Sequence, residues 1–163
     1  MTNSTTTLAQ HKIPFFFLFL GEDEINAVVD TLRSGWLTTG KKAKRFEEEF
    51  AERVGAKHAI AVNSCTAALH LALEALGVSP GDEVIVPTLT FASTAEVVAH
   101  LGATPVLADC RPDTLNVDPE SIAAKITPKT KAIVPVHYAG QPCDMDAIHS
   151  LAAEHGLPVV EDA

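Results

Sequence analysis

Short apolar runs alternate with helical patterns along most of this chain, and this alternation constrains its fold more than any other feature. Continuous apolar strands are typical of parallel sheets that are covered by helices on both faces. The five runs are HAIAV (58–62), EVIVP (83–87), TPVLAD (104–109), KAIVPV (131–136) and LPVVED (157–162). A helical pattern follows each of the first four. We therefore predict an α/β fold built on a doubly wound, mostly parallel sheet.

Two further helices are predicted before the first run. Ile25, Val28 and Leu32 recur at helical spacing, and Phe46, Phe50 and Val54 follow one another a turn apart. Acidic residues open the first of these helices and glycines follow both, as is usual at helix ends. The loop between them, GWLTTGKK, presents an aromatic side chain and two hydroxyl groups.

Composition excludes several classes of protein. The formal charge of −9 and a pI near 5.1 argue against a nucleic acid partner, because phosphate binding needs a basic face. The three cysteines show neither disulfide nor zinc spacing, which favours reduced thiols and a cytoplasmic protein. The run IPFFFLFL (13–20) is too short to span a membrane, so we predict no membrane span and a buried segment there. Residues 1–12 are predicted to be a disordered tail.

Candidate site residues lie where the strands end, since ligands of such sheets bind at that edge. Cys65, Thr66 and Ala67 open a helix whose free amide groups attract anions such as phosphate, although simple helix capping would use the same residues. Phe91 follows the second run and either covers a flat ring or packs in the core. Asp162 ends the last run, where a carboxylate needs a cationic partner or caps a further helix. No run is followed by GxGxxG or a P-loop.

Long stretches resemble the DegT/DnrJ/StrS family of pyridoxal-phosphate-dependent sugar aminotransferases. They include RSGWLTTG, the segment from FEEEFAERVG to LTFAST, LGATPVLADC, ITPKTKAIVPVHYAGQPCDMDAI and VVEDA. The resemblance implies an aspartate-aminotransferase-like fold, of which residues 13–163 are part of the large, cofactor-binding domain. It is closest to enzymes that aminate a 4-keto sugar on a nucleotide, such as the one that makes 4-amino-4-deoxyarabinose.

The resemblance also implies roles for the candidate residues. Thr66 and Ala67, with Cys65 beside them, would bind the phosphate of pyridoxal 5′-phosphate. Phe91 would stack on the pyridine ring, and Asp162 would pair with the protonated ring nitrogen and keep the ring an electron sink. The implied reaction moves an amino group from a donor, commonly glutamate, to the nucleotide-linked sugar.

Other positions carry weaker implications. Trp36 and Thr39 are candidates for binding the substrate. His137, Gln141 and Asp144 follow the fourth run and are either near the site or purely structural. Family members are homodimers, so a dimer is expected of the full-length protein.

The family's Schiff-base lysine and its small domain have no counterpart in this sequence. We therefore expect the chain to be a truncated large domain that is poorly stable and inactive on its own. Three alternatives stay open: a sugar dehydratase of the same fold with a histidine in place of that lysine, a regulatory module that senses the cofactor, and a non-catalytic fragment.

Overall fold

The computed structural model describes residues 17–163, which fall into two compact units, one ending at Ala61 and the other beginning at Val62. The tail predicted at 1–12 lies outside the described residues, as do residues 13–16. No helix in the described part of the chain is long and apolar enough to cross a membrane.

The first unit holds two helices, α1 (Glu22–Arg33) and α2 (Lys41–Val54). The Gly21 amide donates to Glu24 Oε2 at 2.6 Å at the start of α1. Helix α2 ends at Gly55, whose φ of 70° lies in the left-handed region that glycine adopts readily. Both predicted helices are confirmed, but neither contains a buried residue.

The apolar segment before α1 is not buried, so that prediction is wrong for its described residues. Phe17 and Phe19 are 82% and 85% exposed. An apolar sequence favours burial, but burial also needs another part of the protein to cover the segment. No described residue covers residues 17–20.

A three-stranded parallel sheet forms the centre of the second unit. Its strands are β1 (Glu83–Pro87), β2 (Thr104–Ala108) and β3 (Thr130–Ile133), in the order β2-β1-β3. The helices are α3 (Cys65–Ala75), α4 (Ser93–His100), α5 (Pro119–Ala123) and α6 (Met145–His155), with a short 3₁₀ turn at Tyr138–Gly140.

Helices cover both faces of this sheet, which confirms the doubly wound architecture. Val84 and Val86 point to one face and pack with buried side chains of α3 and α4. Ile85 points to the other face and packs with buried side chains of α5 and α6. Each strand residue of β1 from Val84 to Pro87 is buried, as a continuous apolar run predicts.

The last predicted strand runs parallel to β3 and continues past its end, but its ladder has gaps. The Val160 amide donates to Ile133 O at 2.9 Å, and the Asp162 amide donates to Pro135 O at 3.0 Å. Only two isolated bridges, Ile133 to Val159 and Val136 to Asp162, are formed. Pro135 and Pro158 have no N–H to donate, which interrupts the pairing.

The first predicted strand, residues 58–62, does not form. Ile60 is 80% exposed, and the Ala61 amide donates to a side chain, Glu47 Oε1, at 2.9 Å rather than to a strand. A parallel strand exists only by pairing, and the described residues provide no neighbour for this run. The apolar composition of the run was therefore insufficient to predict the strand.

Candidate functional site

The order of the strands marks one edge of the sheet as the place for a ligand. Helix α4 leads from β1 to β2 on one face, and α5 leads from β2 on the opposite face to β3, on the other side of β1. The chain thus changes direction around β1, and the carboxyl ends of β1 and β3 border a crevice. Ligands of open α/β sheets bind at such a switch point.

Asp162 reaches this crevice and is held there on several sides. Its Oδ2 accepts a hydrogen bond from the Thr94 hydroxyl at 2.7 Å, and its Oδ1 accepts one from the Cys65 thiol at 3.3 Å. The His137 amide donates to its backbone carbonyl at 3.0 Å. No ion pair among residues 17–163 includes Asp162. The carboxylate therefore has two uncharged donors and lone pairs left for a cationic one.

The start of α3 adjoins this carboxylate. Ser64 caps the helix by accepting from the Ala67 amide at 3.1 Å. The amides of Cys65 and Thr66 precede the first intrahelical bond, and within the described chain they have no acceptor. Burial, and then the hydrogen bond and the negative charge of Asp162, raise the pKa of the Cys65 thiol. The thiol thus stays protonated and acts as a donor.

Phe91 lies just before α4 and is not a core residue. Its side chain is 79% exposed, whereas Ser93 and Thr94, which follow it, are buried. Residues 17–163 therefore do not pack it into a core, which was the structural alternative for this residue. An exposed aromatic face at the carboxyl end of β1 can instead cover a flat ring.

Thr94 is a site residue that the sequence reasoning missed. It is fully buried, donates to Asp162, and lies 2.7 Å from the Thr90 hydroxyl. Its signal was its spacing from Val97 and Val98, which places it on the buried face of α4. A polar residue on an apolar helix face needs a partner inside the protein.

The residues proposed after the fourth run have mixed positions. His137 Nδ1 accepts from the Cys143 amide at 3.1 Å, so in the neutral ring Nε2 carries the proton that faces Glu161 Oε2 at 2.9 Å. Asp144 caps α6 by accepting from the Ala147 amide at 3.2 Å, which is a structural role. The side chain of Gln141 is exposed.

Asn116 organises this loop and was also missed. Its side-chain amide donates to the carbonyls of Gln141 and Pro142, both at 3.0 Å, and its Oδ1 accepts from the Tyr138 amide at 3.0 Å. It is almost completely buried. The loop includes Ala139 with a φ of 53°, a conformation that costs a non-glycine residue energy and that these three bonds help to hold.

Trp36 and Thr39 belong to the first unit. The Trp36 indole N–H donates to the Thr39 carbonyl at 3.1 Å, and its ring lies against Gly40, where an added Cβ would come within 2.6 Å of it. Thr31, Ser34, Thr38 and Lys42 line a groove beside the indole. The loop is therefore folded on itself around an exposed aromatic ring.

The residues around Asp162 fit pyridoxal 5′-phosphate. Free amides at a helix start suit a phosphate group, an unpaired carboxylate suits a protonated ring nitrogen, and an exposed phenyl ring suits a flat heterocycle. The three lysines of the second unit, Lys125, Lys129 and Lys131, lie after α5 and around the start of β3. They are thus at the opposite edge of the sheet from Asp162.

Comparison with known families agrees with this geometry. The sequence model of the DegT/DnrJ/EryC1/StrS aminotransferase family matches residues 19–163. The chain belongs to this family. The resemblance predicted from the sequence is confirmed, and so is the fold class.

Individual relatives support the assignment. The spore coat polysaccharide biosynthesis protein SpsC of Bacillus subtilis is 59% identical over 153 residues, which are 94% of this chain and 39% of SpsC. DesV of S. venezuelae, solved in complex with a ketimine intermediate, is 44% identical with a TM-score of 0.84, over 87% of this chain and 38% of DesV. Spr1654 of Streptococcus pneumoniae, in its PMP form, is 40% identical with a TM-score of 0.86, over 93% of this chain and 42% of Spr1654. The chain thus spans about two fifths of the length of these relatives.

Proposed function

We propose that the protein containing this chain is a pyridoxal-phosphate-dependent aminotransferase that acts on a nucleotide-linked keto sugar, with glutamate as the amino donor. Membership of the family supports the reaction, and the name of SpsC supports a place in cell-surface polysaccharide biosynthesis. The single observation that carries the proposal is the Asp162 carboxylate, held between the starts of α3 and α4 with no cationic partner among the described residues 17–163.

The residues at the crevice would hold the cofactor in three places. The amides of Cys65 and Thr66 and the Thr66 hydroxyl, in the first turn of α3 that also contains Ala67, would bind its phosphate. Phe91 would cover one face of its ring, and Asp162 would accept the ring N–H. When bound, the cofactor supplies an electron sink beside the carbon that carries the transferred nitrogen.

Asp162 has the central task in this arrangement. The Asp162 anion would accept a hydrogen bond from the ring N–H and thereby keep that nitrogen protonated. Without the carboxylate, the protonated ring nitrogen would be a desolvated cation with no partner. Thr94 and Cys65 each donate to one carboxylate oxygen and thereby fix its orientation. The Cys65 thiol, whose pKa is raised, adds no second negative charge near the phosphate.

Trp36 and Thr39 are the candidates for substrate binding. The exposed indole of Trp36, ordered by its bond to Thr39, offers a flat apolar surface, and Thr39 offers a hydroxyl group. We assign both residues to binding of the nucleotide-linked sugar, and we expect the protein to be a homodimer.

Binding of pyridoxamine 5′-phosphate tests the proposal, because this form of the cofactor binds without a lysine. Calorimetric titration of the protein at its full natural length should show binding, which Asp162→Asn weakens about 30- to 100-fold through loss of the ion pair. Asp144→Asn is the matched control, because asparagine also caps helices, and it should bind as the wild type does.

Enzymatic turnover is the second test of the proposed function. Incubation with glutamate and a nucleotide-linked keto sugar should release 2-oxoglutarate and an amino sugar. The proposal is overturned if the wild type does not bind the cofactor, or if Asp162→Asn binds it as tightly as the wild type.

A further inference from the structure

Two threonine hydroxyl groups form a directed chain of hydrogen bonds that ends on Asp162. Thr90 Oγ1 lies 2.7 Å from Thr94 Oγ1, which lies 2.7 Å from Asp162 Oδ2. An ionised carboxylate only accepts, and a threonine hydroxyl carries a single proton. Thr94 must therefore give its proton to Asp162, so that Thr90 is the donor in the bond between the threonines.

Burial limits the positions that the Thr94 hydroxyl can take. The residue is fully buried on the face of α4 that also carries Val97 and Val98. It cannot turn to solvent, and β-branching restricts its χ1 angle. The bond to Asp162 is thus built into the packing of α4 against the sheet.

This rigidity contrasts with the other donor to Asp162. The Cys65 thiol is a weak donor at 3.3 Å and belongs to an exposed residue. Of the two side chains among residues 17–163 that donate to the carboxylate, Thr94 makes the shorter bond and is the one that is fully buried. It therefore dominates the orientation of the carboxylate plane.

We propose that Thr94, with Thr90 behind it, is a positioning residue that aims the free lone pairs of Asp162 at the ring N–H of the bound cofactor. This inference rests on the proposed function, because it needs a cofactor with a protonated ring nitrogen. Thr94 itself does not touch the reacting atoms and acts only through Asp162.

The test compares two ligands on the protein at its full natural length. One is pyridoxamine 5′-phosphate, and the other is its 1-deaza analogue, in which C–H replaces the ring N–H. Thr94→Val should weaken binding of pyridoxamine 5′-phosphate about 10- to 100-fold, as for loss of a hydrogen bond to a charged group. The analogue, which makes no ion pair with Asp162, should bind wild type and variant within about 2-fold of each other.

Two further variants complete the design. Thr94→Ser keeps the hydroxyl and should restore binding to within about 3-fold of the wild type. Thr127→Val is the control, because Thr127 also donates to a carboxylate, that of Glu83, at the opposite edge of the sheet. It should leave the affinities for both ligands unchanged.

The possible outcomes separate the two proposals. If Thr94→Val weakens the binding of both ligands equally, the role of Thr94 is purely structural and the inference is overturned. An unchanged affinity for pyridoxamine 5′-phosphate would also overturn it. If Thr94→Val does not fold, Thr90→Val takes its place, because Thr90 is partly exposed. Thr90→Val should weaken binding of pyridoxamine 5′-phosphate about 3-fold and leave binding of the analogue unchanged. A wild type that does not bind pyridoxamine 5′-phosphate overturns the proposed function itself, whereas weakening by Asp162→Asn without weakening by Thr94→Val overturns this inference only.

Discussion

The two units of the chain follow the same local rules and differ in what covers their apolar side chains. Helices α1 and α2 carry regular apolar stripes, have clear ends, and contain no buried residue. In the second unit, the helices and strands pack into two cores, one on each face of the sheet. Periodicity therefore suffices to form a helix, but a core also needs partners that are distant in sequence.

The largest expected effect comes from truncating equivalent side chains in the two units. Ile85→Ala, in the centre of β1, should lower the free energy of unfolding by about 3 kcal/mol, because it removes a fully buried side chain and leaves a cavity. Ile25→Ala, on α1, should change it by less than about 0.5 kcal/mol, because that side chain is already half exposed. Urea unfolding of this chain measures both, and losses of equal size would show that Ile25 is buried in solution.

A medium effect, equal in the two units, is expected at the ends of two helices. Gly55 after α2 and Gly156 after α6 have φ values of 70° and 66°, and an added Cβ at either would have no atom within 4 Å. Substitution by alanine should cost about 1 kcal/mol at each position, since the strain lies in the backbone alone. Hydrogen exchange of the amides in α2 and α6 measures the loss of stability caused by each substitution. A clearly larger loss at Gly156 would mean that tertiary packing contributes to it.

The smallest effect is a pH dependence due to a thiol group, which only the second unit can show because all three cysteines lie in it. The pKa of Cys65 is raised, so its contribution to stability is complete below the pKa of an unfolded thiol and is lost as the pH rises through the folded value. The rate of alkylation of Cys65 by iodoacetamide, measured by mass spectrometry as a function of pH, should therefore have its midpoint at a higher pH than the rate for an ordinary thiol. Asp162→Asn should move this midpoint down, and an unchanged midpoint would separate Cys65 from Asp162.

Much of the fold could be predicted from the sequence because its determinants are local. Apolar runs bounded by turn residues gave β1, β2 and β3, and helical spacing gave the helices between them. The run at 58–62 shows the limit of this reasoning, because Ile60 lies in a run as apolar as the others and remains exposed without a neighbouring strand. Whether a run becomes a strand depends on pairing, which composition does not encode.

The site divides in the same way. The positions of Asp162 and Phe91 at strand ends were predicted, and their roles in binding a cofactor stay predictions. Thr94 and Asn116 were missed, because a threonine in a helix and an asparagine in a loop are ordinary residues until their partners are known. Those partners are 68 residues away for Thr94 and 22 to 26 residues away for Asn116.

The strand order has a consequence for how the sheet is assembled during synthesis. The central strand, β1, leaves the ribosome before both of its neighbours, and β2 and then β3 can add to its two open sides. The segment at 157–162 follows β3 along the chain and adds outside it. Among the strands of residues 17–163, none has to be inserted between two that are already paired, so this part of the sheet can grow outward from β1 as the chain emerges.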